Sequence, residues 1–185
     1  WNMHMTYYTN ESEVTKLTVD PYNYGGFATF LGTYRIEEGW SPTAIVGADY
    51  DADGNHIELG NENPDFRLSF RNSLSFGPLS LSFLIDHKEG GHAINLANLI
   101  YDLGATTADY EENGSRTAVL GGGSTAPYVE STTYTALRDL SLTYLLPADL
   151  TEGYGLSNVQ LGLALRNWWM ASDYTGLSPE VSQFG

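Results

Sequence analysis

Residues 158–168 read Asn-Val-Gln-Leu-Gly-Leu-Ala-Leu-Arg-Asn-Trp, and their side chains alternate in polarity. The odd positions from Val159 to Leu165 are all apolar, whereas the even positions from Gln160 to Arg166 are small or polar. A period of two is typical of a β-strand with one apolar face. The stretch therefore predicts a strand with one side in an apolar environment and the other in a polar one.

Residues 134–146 predict the partner strand of a hairpin. Leu140, Leu142, Tyr144 and Leu146 alternate with Ser141, Thr143 and Leu145, but Leu137 has the opposite parity to Leu140. A β-bulge near Arg138 and Asp139 would return Leu137 to the same face. Residues 147–157 contain one proline and two glycines, which predicts the connecting turn.

Four more segments alternate in the same way, and we predict that they are strands: Trp1–Tyr8, Phe27–Ile36, Phe66–Phe76 and Leu79–Asp86. Gly77 and Pro78 join the last two in a tight hairpin. The long loops, residues 39–65 and 87–133, include one helical pattern over Leu96–Leu103 that Gly104 would end, and a flexible linker at Gly121–Gly123.

The six predicted strands have about the length that crosses the hydrocarbon of a bilayer at a tilt. Short turns on one side and long loops on the other are typical of an outer-membrane β-barrel. We therefore expect an all-β fold, an antiparallel transmembrane β-barrel segment with long extracellular loops and one short loop helix. The alternation alone leaves two other classes open, namely a soluble β-sandwich that binds carbohydrate, as in an accessory domain of a glycoside hydrolase, and a secreted adhesin.

Composition narrows the function classes. The 185 residues include 23 acidic and 8 basic side chains, a net charge of -15, which argues against a nucleic-acid partner. Cysteine is absent, so disulfides and thiolate chemistry are excluded. The sequence has no apolar run long enough for a membrane helix. Because it begins at Trp1, we expect a processed product or a fragment of a longer polypeptide.

Asp49, Asp51 and Asp53, followed by Gly54, imitate the start of a calcium-binding loop. The twelfth position is Gly60 rather than the glutamate that such a loop needs. An Asp-Gly turn explains these residues better, since glycine supplies a positive φ. The sequence therefore predicts no metal site here, although a cation is left open.

Other clusters do not predict catalysis. His87 and His92 lack the spacing of a zinc site and are interpreted as solvated loop residues. The pairs Glu37–Glu38 and Glu111–Glu112 are adjacent in sequence, so they would point to opposite faces of a strand and could not flank one glycosidic bond. Ser124 follows three glycines but lacks the lysine of a phosphate loop. We predict no enzyme activity, catalytic residue or cofactor.

Polar and aromatic side chains on the strands are candidates for lining a water-filled lumen or touching a solute. Solvation, or pairing with the aspartate among them, explains the charged residues equally well, and the aromatic residues near the end of the last strand suit an interface belt or a sugar platform. The candidates are Arg67, Arg71, Asp86, Gln160, Arg166, Trp168, Trp169 and Tyr174.

Several short motifs follow one another between Gly60 and Gly185. In chain order they are Gly60-Asn61-Glu62-Asn63-Pro64-Asp65-Phe66, Asp86 through Gly90 and Gly91 to Asn95, Tyr128-Val129-Glu130, Leu137-Arg138-Asp139-Leu140-Ser141-Leu142-Thr143-Tyr144 with Leu146-Pro147, Arg166-Asn167, and Asp173-Tyr174 with Gly176 and Pro179-Glu180-Val181. In their order and spacing these motifs resemble the C-terminal barrel segment of the SusC/RagA family of TonB-linked (TonB-dependent) outer-membrane transporters. The chain departs from the family's pattern at Leu165 and Trp168, around Arg166-Asn167, and at Ser178, before Pro179.

The resemblance implies that residues 1–185 are the C-terminal part of a barrel of about 22 strands. It implies a plug domain and a TonB-interacting segment outside this chain, a SusD-like lipoprotein partner, and import of oligosaccharides or peptides across the outer membrane of a Gram-negative bacterium, with the chain crossing the membrane several times. Residues 181–185 are too short and too polar for the final strand, which we expect beyond Gly185. Six strands alone would leave two open edges, which lipid cannot satisfy.

Overall fold

A computed structural model of the chain describes residues 1–112, 114–121 and 123–180. Two compact units are each assembled from three separate stretches of chain. The strand unit consists of Trp1–Tyr8, Phe66–Lys88 and Tyr134–Ala171; the loop unit consists of Thr9–Asp65, Glu89–Thr133 and Ser172–Gly185, described as far as residue 180. The final predicted motif residue, Val181, and the expected strand end at 181–185 lie outside the described residues.

The described residues form mostly strands. In chain order these are β1 (Asn2–Tyr8), β2 (Tyr22–Tyr24), β3 (Thr33–Ile36), β4 (Ala44–Val46), β5 (Gly60–Asn61), β6 (Pro64–Phe76), β7 (Leu79–Gly90), β8 (His92–Ile94), β9 (Val129–Ser131), β10 (Tyr134–Leu145) and β11 (Gln160–Ser172). The α-helices are α1 (Leu96–Leu103), α2 (Ala108–Glu111), α3 (Ser115–Gly121) and α4 (Ala148–Thr151). Over the described ranges, helices long and apolar enough to cross a membrane are absent.

The long strands pair into one five-stranded sheet in the order β1-β6-β7-β10-β11. In the antiparallel β1/β6 pair, Met5 lies opposite Phe70, and the next residue, Thr6, lies opposite Ser69. Apolar side chains therefore meet on one side of the sheet and polar side chains on the other. Five of the six predicted strands belong to this sheet, so the predicted alternation is confirmed for them.

The bulge that the sequence predicts in the fourth strand of this sheet, β10, is confirmed. Between β7 and β10 the register shifts from Leu137 opposite Ile85 to Leu140 opposite Phe83, with the irregularity between Leu137 and Asp139. Both leucines therefore lie on the apolar side, as an extra residue in one strand requires.

The apolar side of the five-stranded sheet is exposed. Met5 is 62% exposed, Leu161 60% and Leu163 58%, although each lies on the apolar parity of its strand. A protein core would cover such side chains almost completely. This face is therefore an apolar surface within the described chain.

The loop unit has a covered core of its own. Its four-stranded sheet, in the order β2-β3-β4-β5, and the β8/β9 pair enclose Tyr34, Ile45 and Ile94, against which Leu96 and Val129 pack. Ile45 has no exposed surface. The loop unit therefore contains a small apolar core that protein covers.

The prediction of one continuous strand over Phe27–Ile36 is wrong. Thr29–Leu31 form a turn of 3-10 helix, and only Thr33–Ile36 are a strand, which belongs to the loop unit. Gly32 separates the two with a φ of +89°, and a Cβ there would lie 1.6 Å from Ile94 Cδ1. Tyr34 of this strand packs in the core of the loop unit. The five-stranded sheet therefore has one strand fewer than the six predicted.

The predicted loop helix is confirmed as α1, and Gly104 follows its last residue. The Asn95 side chain accepts a hydrogen bond from the Asn98 amide and so caps the N-terminus. The turn predicted over residues 147–157 contains α4 and a 3-10 turn at Glu152–Tyr154. Of the predicted linker Gly121–Gly123, Gly121 ends α3 and Gly122 lies outside the described residues.

Candidate functional site

A polar network lies on the polar side of the five-stranded sheet and centres on Asp86. Ser69 donates a hydrogen bond to Asp86 Oδ1 at 3.0 Å, and the Tyr134 hydroxyl donates one to Oδ2, also at 3.0 Å. Arg138 Nη2 lies 3.2 Å from the same Oδ2. The Arg138 guanidinium also lies over the Tyr134 ring, 5.2 Å from its centroid. The carboxylate therefore connects β6, β7 and β10.

Asp86 was a candidate from the sequence, but its partners were not foreseen. The sequence suggested pairing with the candidate arginines, whereas the structure pairs Asp86 with Arg138. Arg138 occupies the bulge, and a bulge turns a side chain away from strict alternation. Leu137's mismatched parity was the signal that could have identified Arg138.

This network predicts a measurable loss of stability when the Asp86 charge is removed. Asp86→Asn should lower the free energy of unfolding by about 1.5 kcal/mol, because hydrogen bonds to a charged group are stronger than neutral ones. Asp139→Asn is the matched control, since Asp139 lies opposite Leu84 just past the bulge. Denaturant unfolding of the protein measures both, and equal losses would show that the network contributes nothing specific.

Arg67 and Arg71 lie on the polar parity of β6. In the register with β1, Arg67 lies opposite Tyr8 and Arg71 opposite His4. The Nε atom of Arg67 is buried and has no hydrogen-bond partner among the described residues. Arg71 is exposed. The structure thus places Arg67, Arg71 and Asp86 on one side of the β6–β7 hairpin.

The other candidates are placed elsewhere. Gln160 and Arg166 lie on β11, two strands from β7 in the sheet order, and both are exposed. Trp168 and Trp169 follow on the same strand and are 66% and 52% exposed. Tyr174 belongs to the loop unit, where burial and then the nearby Glu130 carboxylate raise the pKa of its hydroxyl.

Charge divides unequally between the two units. The strand unit holds five basic residues, Arg67, Arg71, Lys88, Arg138 and Arg166, against four acidic ones, Asp86, Asp139, Asp149 and Glu152. The remaining 19 of the 23 acidic residues and 3 of the 8 basic residues belong to the loop unit. The strong negative charge of the chain is therefore a property of the loop unit alone.

The loop unit contains a second, buried polar network around Asp102, whose side chain has no exposed surface. Arg116 Nε donates to Asp102 Oδ2 at 2.9 Å, the buried Tyr128 hydroxyl donates to the same oxygen at 2.8 Å, and Thr107 donates to Oδ1. Burial alone would raise the pKa of Asp102. The hydrogen bonds and the guanidinium charge outweigh it and lower this pKa to about 2.

The aspartates at residues 49–53 form the turn that the sequence favoured. Asp51 Oδ1 accepts hydrogen bonds from the Asp53 and Asn55 amides, at 2.9 and 2.8 Å, and Gly54 has a φ of +85°. The bonds from Asn55, and then those from Asp53 and Gly54, lower the pKa of Asp51. Asp49 accepts a bond from the Thr125 amide instead. Within the described ranges, His, Asp and Glu side chains form no group of three or more arranged to hold a metal ion.

The interpretation of His87 and His92 as solvated loop residues is wrong. His87 lies on β7, where its Nδ1 is 2.8 Å from the Thr135 hydroxyl, and His92 lies on β8. Strand β7 extends past the predicted end at Asp86, because His87 and Glu89 interrupt its apolar parity. Strand β8 lies in a region that was predicted to be a loop, and its three residues are too few to show a period. Of the adjacent acids, Glu37 pairs with Arg35 at 2.6 Å.

A search against protein-family models finds no match for this chain. Two curated relatives are similar in sequence, both from Formosa agariphila. TonB-dependent receptor P3 is 28% identical over 167 residues, which cover 82% of this chain and 17% of that protein. TonB-dependent receptor P26 is 28% identical over 186 residues, covering 84% of this chain and 19% of that protein. The chain therefore spans less than a fifth of the length of these relatives.

Two solved structures share the fold. The structure of the RagAB peptide transporter superposes with a TM-score of 0.64 at 19% identity, over 96% of this chain and 24% of that chain. The RagAB peptide importer in its closed-closed state superposes with a TM-score of 0.52 at 20% identity, with the same coverage. These likenesses support the expected segment of a transmembrane barrel in a mostly β fold.

The relatives are named as receptors and transporters rather than enzymes, in agreement with the expectation that this chain does no chemistry. Their names also agree with an outer-membrane transport protein. The resemblance is thereby confirmed: the chain is similar to a segment of TonB-dependent receptors and resembles part of a SusC/RagA-type transporter.

Proposed function

We propose that this chain forms part of the barrel wall of an outer-membrane nutrient importer. The observation that carries the proposal is the exposed apolar side of the five-stranded sheet, on which Met5, Leu161 and Leu163 are each more than half exposed. Such a surface is stable in contact with acyl chains and unfavourable in water. The polar side of the same strands then lines the lumen, and the chain crosses the membrane several times.

The wider assembly follows from the resemblance. The whole protein would carry a plug domain and take its energy from TonB, and a SusD-like lipoprotein would cover its extracellular side. The loop unit suits an extracellular position because it has a covered core and carries 19 of the 23 acidic residues. The remaining strands of a barrel of about 22 would pair with the sheet edges β1 and β11.

The solute would be an oligosaccharide or a peptide. Peptide transport is the activity for which RagAB, one of the similar solved structures, is named. Oligosaccharide import is the other activity that the resemblance implies. Both solutes are polar and flexible, and both could pass a lumen lined by serine, arginine and aspartate side chains such as those of β6 and β7.

The exposed side chains also bear on the alternative of a carbohydrate-binding β-sandwich. In a sandwich, the apolar sides of two sheets pack together about 10 Å apart and lose their exposure to water. Met5 and Leu163 are instead more than half exposed. This observation favours the barrel wall over the sandwich.

A pair of neighbouring positions on β1 tests the proposal. In the complete receptor, Met5→Cys and Thr6→Cys would each be labelled with an environment-sensitive fluorophore, and the protein would be refolded into vesicles that contain nitroxide-labelled lipid. Quenching by the acyl-chain nitroxide is expected at position 5 and not at position 6, because successive strand residues point to opposite faces.

The unsubstituted receptor, treated with the same fluorophore, sets the background of the measurement. Equal quenching at the two positions, or quenching at position 6 alone, would contradict a lipid-facing apolar side. A further result against the proposal would be a receptor that stays folded and soluble without lipid or detergent.

A further inference from the structure

Within the described residues, three of the six arginines have no carboxylate partner. Arg35, Arg116 and Arg138 each form an ion pair, with Glu37, Asp102 and Asp86 respectively. For Arg67, Arg71 and Arg166, the part of the chain that the structure describes supplies no such partner. All three belong to the strand unit. The strand unit also holds Asp139, Asp149 and Glu152, and none of these pairs with the three arginines within the described residues.

Arg67 is the most informative of the three. Its Nε is buried, and none of the described residues accepts a hydrogen bond from it. Leaving a buried donor without an acceptor is unfavourable, so an acceptor from outside these residues would stabilise the site. A guanidinium binds a carboxylate through two parallel hydrogen bonds, and Nε is one of its donors.

Arg71 is a second arginine on the same strand without a carboxylate partner within the described residues. It has the same parity as Arg67 and is exposed. Four residues of strand separate the two Cα atoms by about 13 Å. Ser69 lies between them and is engaged with Asp86. Strand β6 therefore carries two guanidinium groups on the same side.

We propose that Arg67 and Arg71 are an anion-binding pair that holds carboxylate groups of the imported solute. The inference rests on the proposed function, because it requires the polar side of the sheet to face the lumen. It deepens that function by naming the solute class, an acidic oligomer with carboxylates at intervals. A uronate-containing oligosaccharide and a glutamate-rich peptide share this chemistry.

Matched probes test the pair in the complete receptor in nanodiscs. The probes are oligogalacturonate and its methyl ester, and a glutamate-rich peptide and the same peptide with glutamine. Arg67→Gln and Arg71→Gln should each weaken binding of one acidic probe about tenfold, and the double variant should weaken it more. Binding of the neutral counterparts should not change. The acidic probe that responds identifies the source of the carboxylates.

Lys16→Gln is the control, since it removes the same charge from an exposed position of the loop unit. It should leave the affinity for every probe unchanged. Arg67→Lys keeps the charge but loses the fork, so it should recover only part of the affinity. Added salt should weaken binding of the acidic probe and not of the neutral one.

The inference is overturned if acidic and neutral probes bind equally, if neither acidic probe binds, or if the two arginine variants bind like the unsubstituted receptor. It is also overturned if those variants lower the unfolding temperature without selective loss of the acidic probe, since the arginines would then pair within the complete polypeptide. Failure of the proposed function itself would appear separately, as a polar side that contacts lipid in the quenching experiment.

Discussion

Leu163→Arg is expected to destabilise the complete receptor in lipid by about 2 to 4 kcal/mol if residue 163 lies near the middle of the bilayer. Leu163 is 58% exposed on the apolar parity of β11. A lipid-facing arginine must leave water or distort the bilayer around it, and this cost falls toward the membrane interface. Equilibrium denaturant unfolding in phospholipid vesicles measures the loss directly.

Ala164→Arg is the matched control for this substitution. Ala164 is the next residue on β11, is also exposed and has the opposite parity. An arginine there would point to the polar side and should change the free energy of unfolding by less than about 1 kcal/mol. If the two arginines cost the same, or if Leu163→Arg has no effect, the apolar side of the sheet does not face lipid.

The features that could be predicted from the sequence are those with a local or periodic signal. The bulge near Arg138 follows from one leucine of mismatched parity, and the register shift confirms it. Helix α1 follows from its apolar spacing and the glycine after it. The Asp-Gly turn at Gly54 follows from the positive φ that glycine tolerates.

The loop unit was largely missed because its elements are too short to show a period. Strands β8 and β9 have three residues each, fewer than an alternating pattern needs. The opposite error occurs at Phe27–Ile36, which was predicted to be a strand like the others. Its side chains do alternate, but its strand belongs to the loop unit, where Tyr34 packs in the core. Periodicity reports that a face is apolar and does not report whether protein or lipid covers it.

The candidate site also has some features that the sequence predicts and others that only the structure shows. Strand parity alone places Arg67, Arg71 and Asp86 on one side of the sheet. The pairing of Asp86 with Arg138 joins residues 52 positions apart, and such a contact has no local signal. The missing partner of Arg67 Nε is visible only from burial and geometry. The proposed solute class therefore depends on the structure, whereas the transport class could be inferred from sequence resemblance.

The largest effect in the loop unit is expected from Asp102→Asn, which should lower the local unfolding free energy of residues 95–112 by about 3 kcal/mol. Removing one partner of a buried ion pair leaves the other partner uncompensated. Here Arg116 would lose a carboxylate that accepts from both its Nε and its Nη2, and the buried Tyr128 hydroxyl would lose a charged acceptor. Hydrogen exchange of the backbone amides in α1, followed by mass spectrometry, measures the change.

Because the pKa of Asp102 is lowered, the local unfolding free energy of residues 95–112 should decrease in acid. Because the folded pKa of about 2 lies below the unfolded value near 4, the carboxylate's contribution is complete above about pH 5 and is lost as the pH falls from about 4 toward 2. Asp102→Asn should abolish this acid-dependent loss of amide protection. Glu111→Gln, an exposed charge removal in α2, should keep both the protection and its pH dependence. If Asp102→Asn and Glu111→Gln behave alike, the buried carboxylate does not hold this loop together.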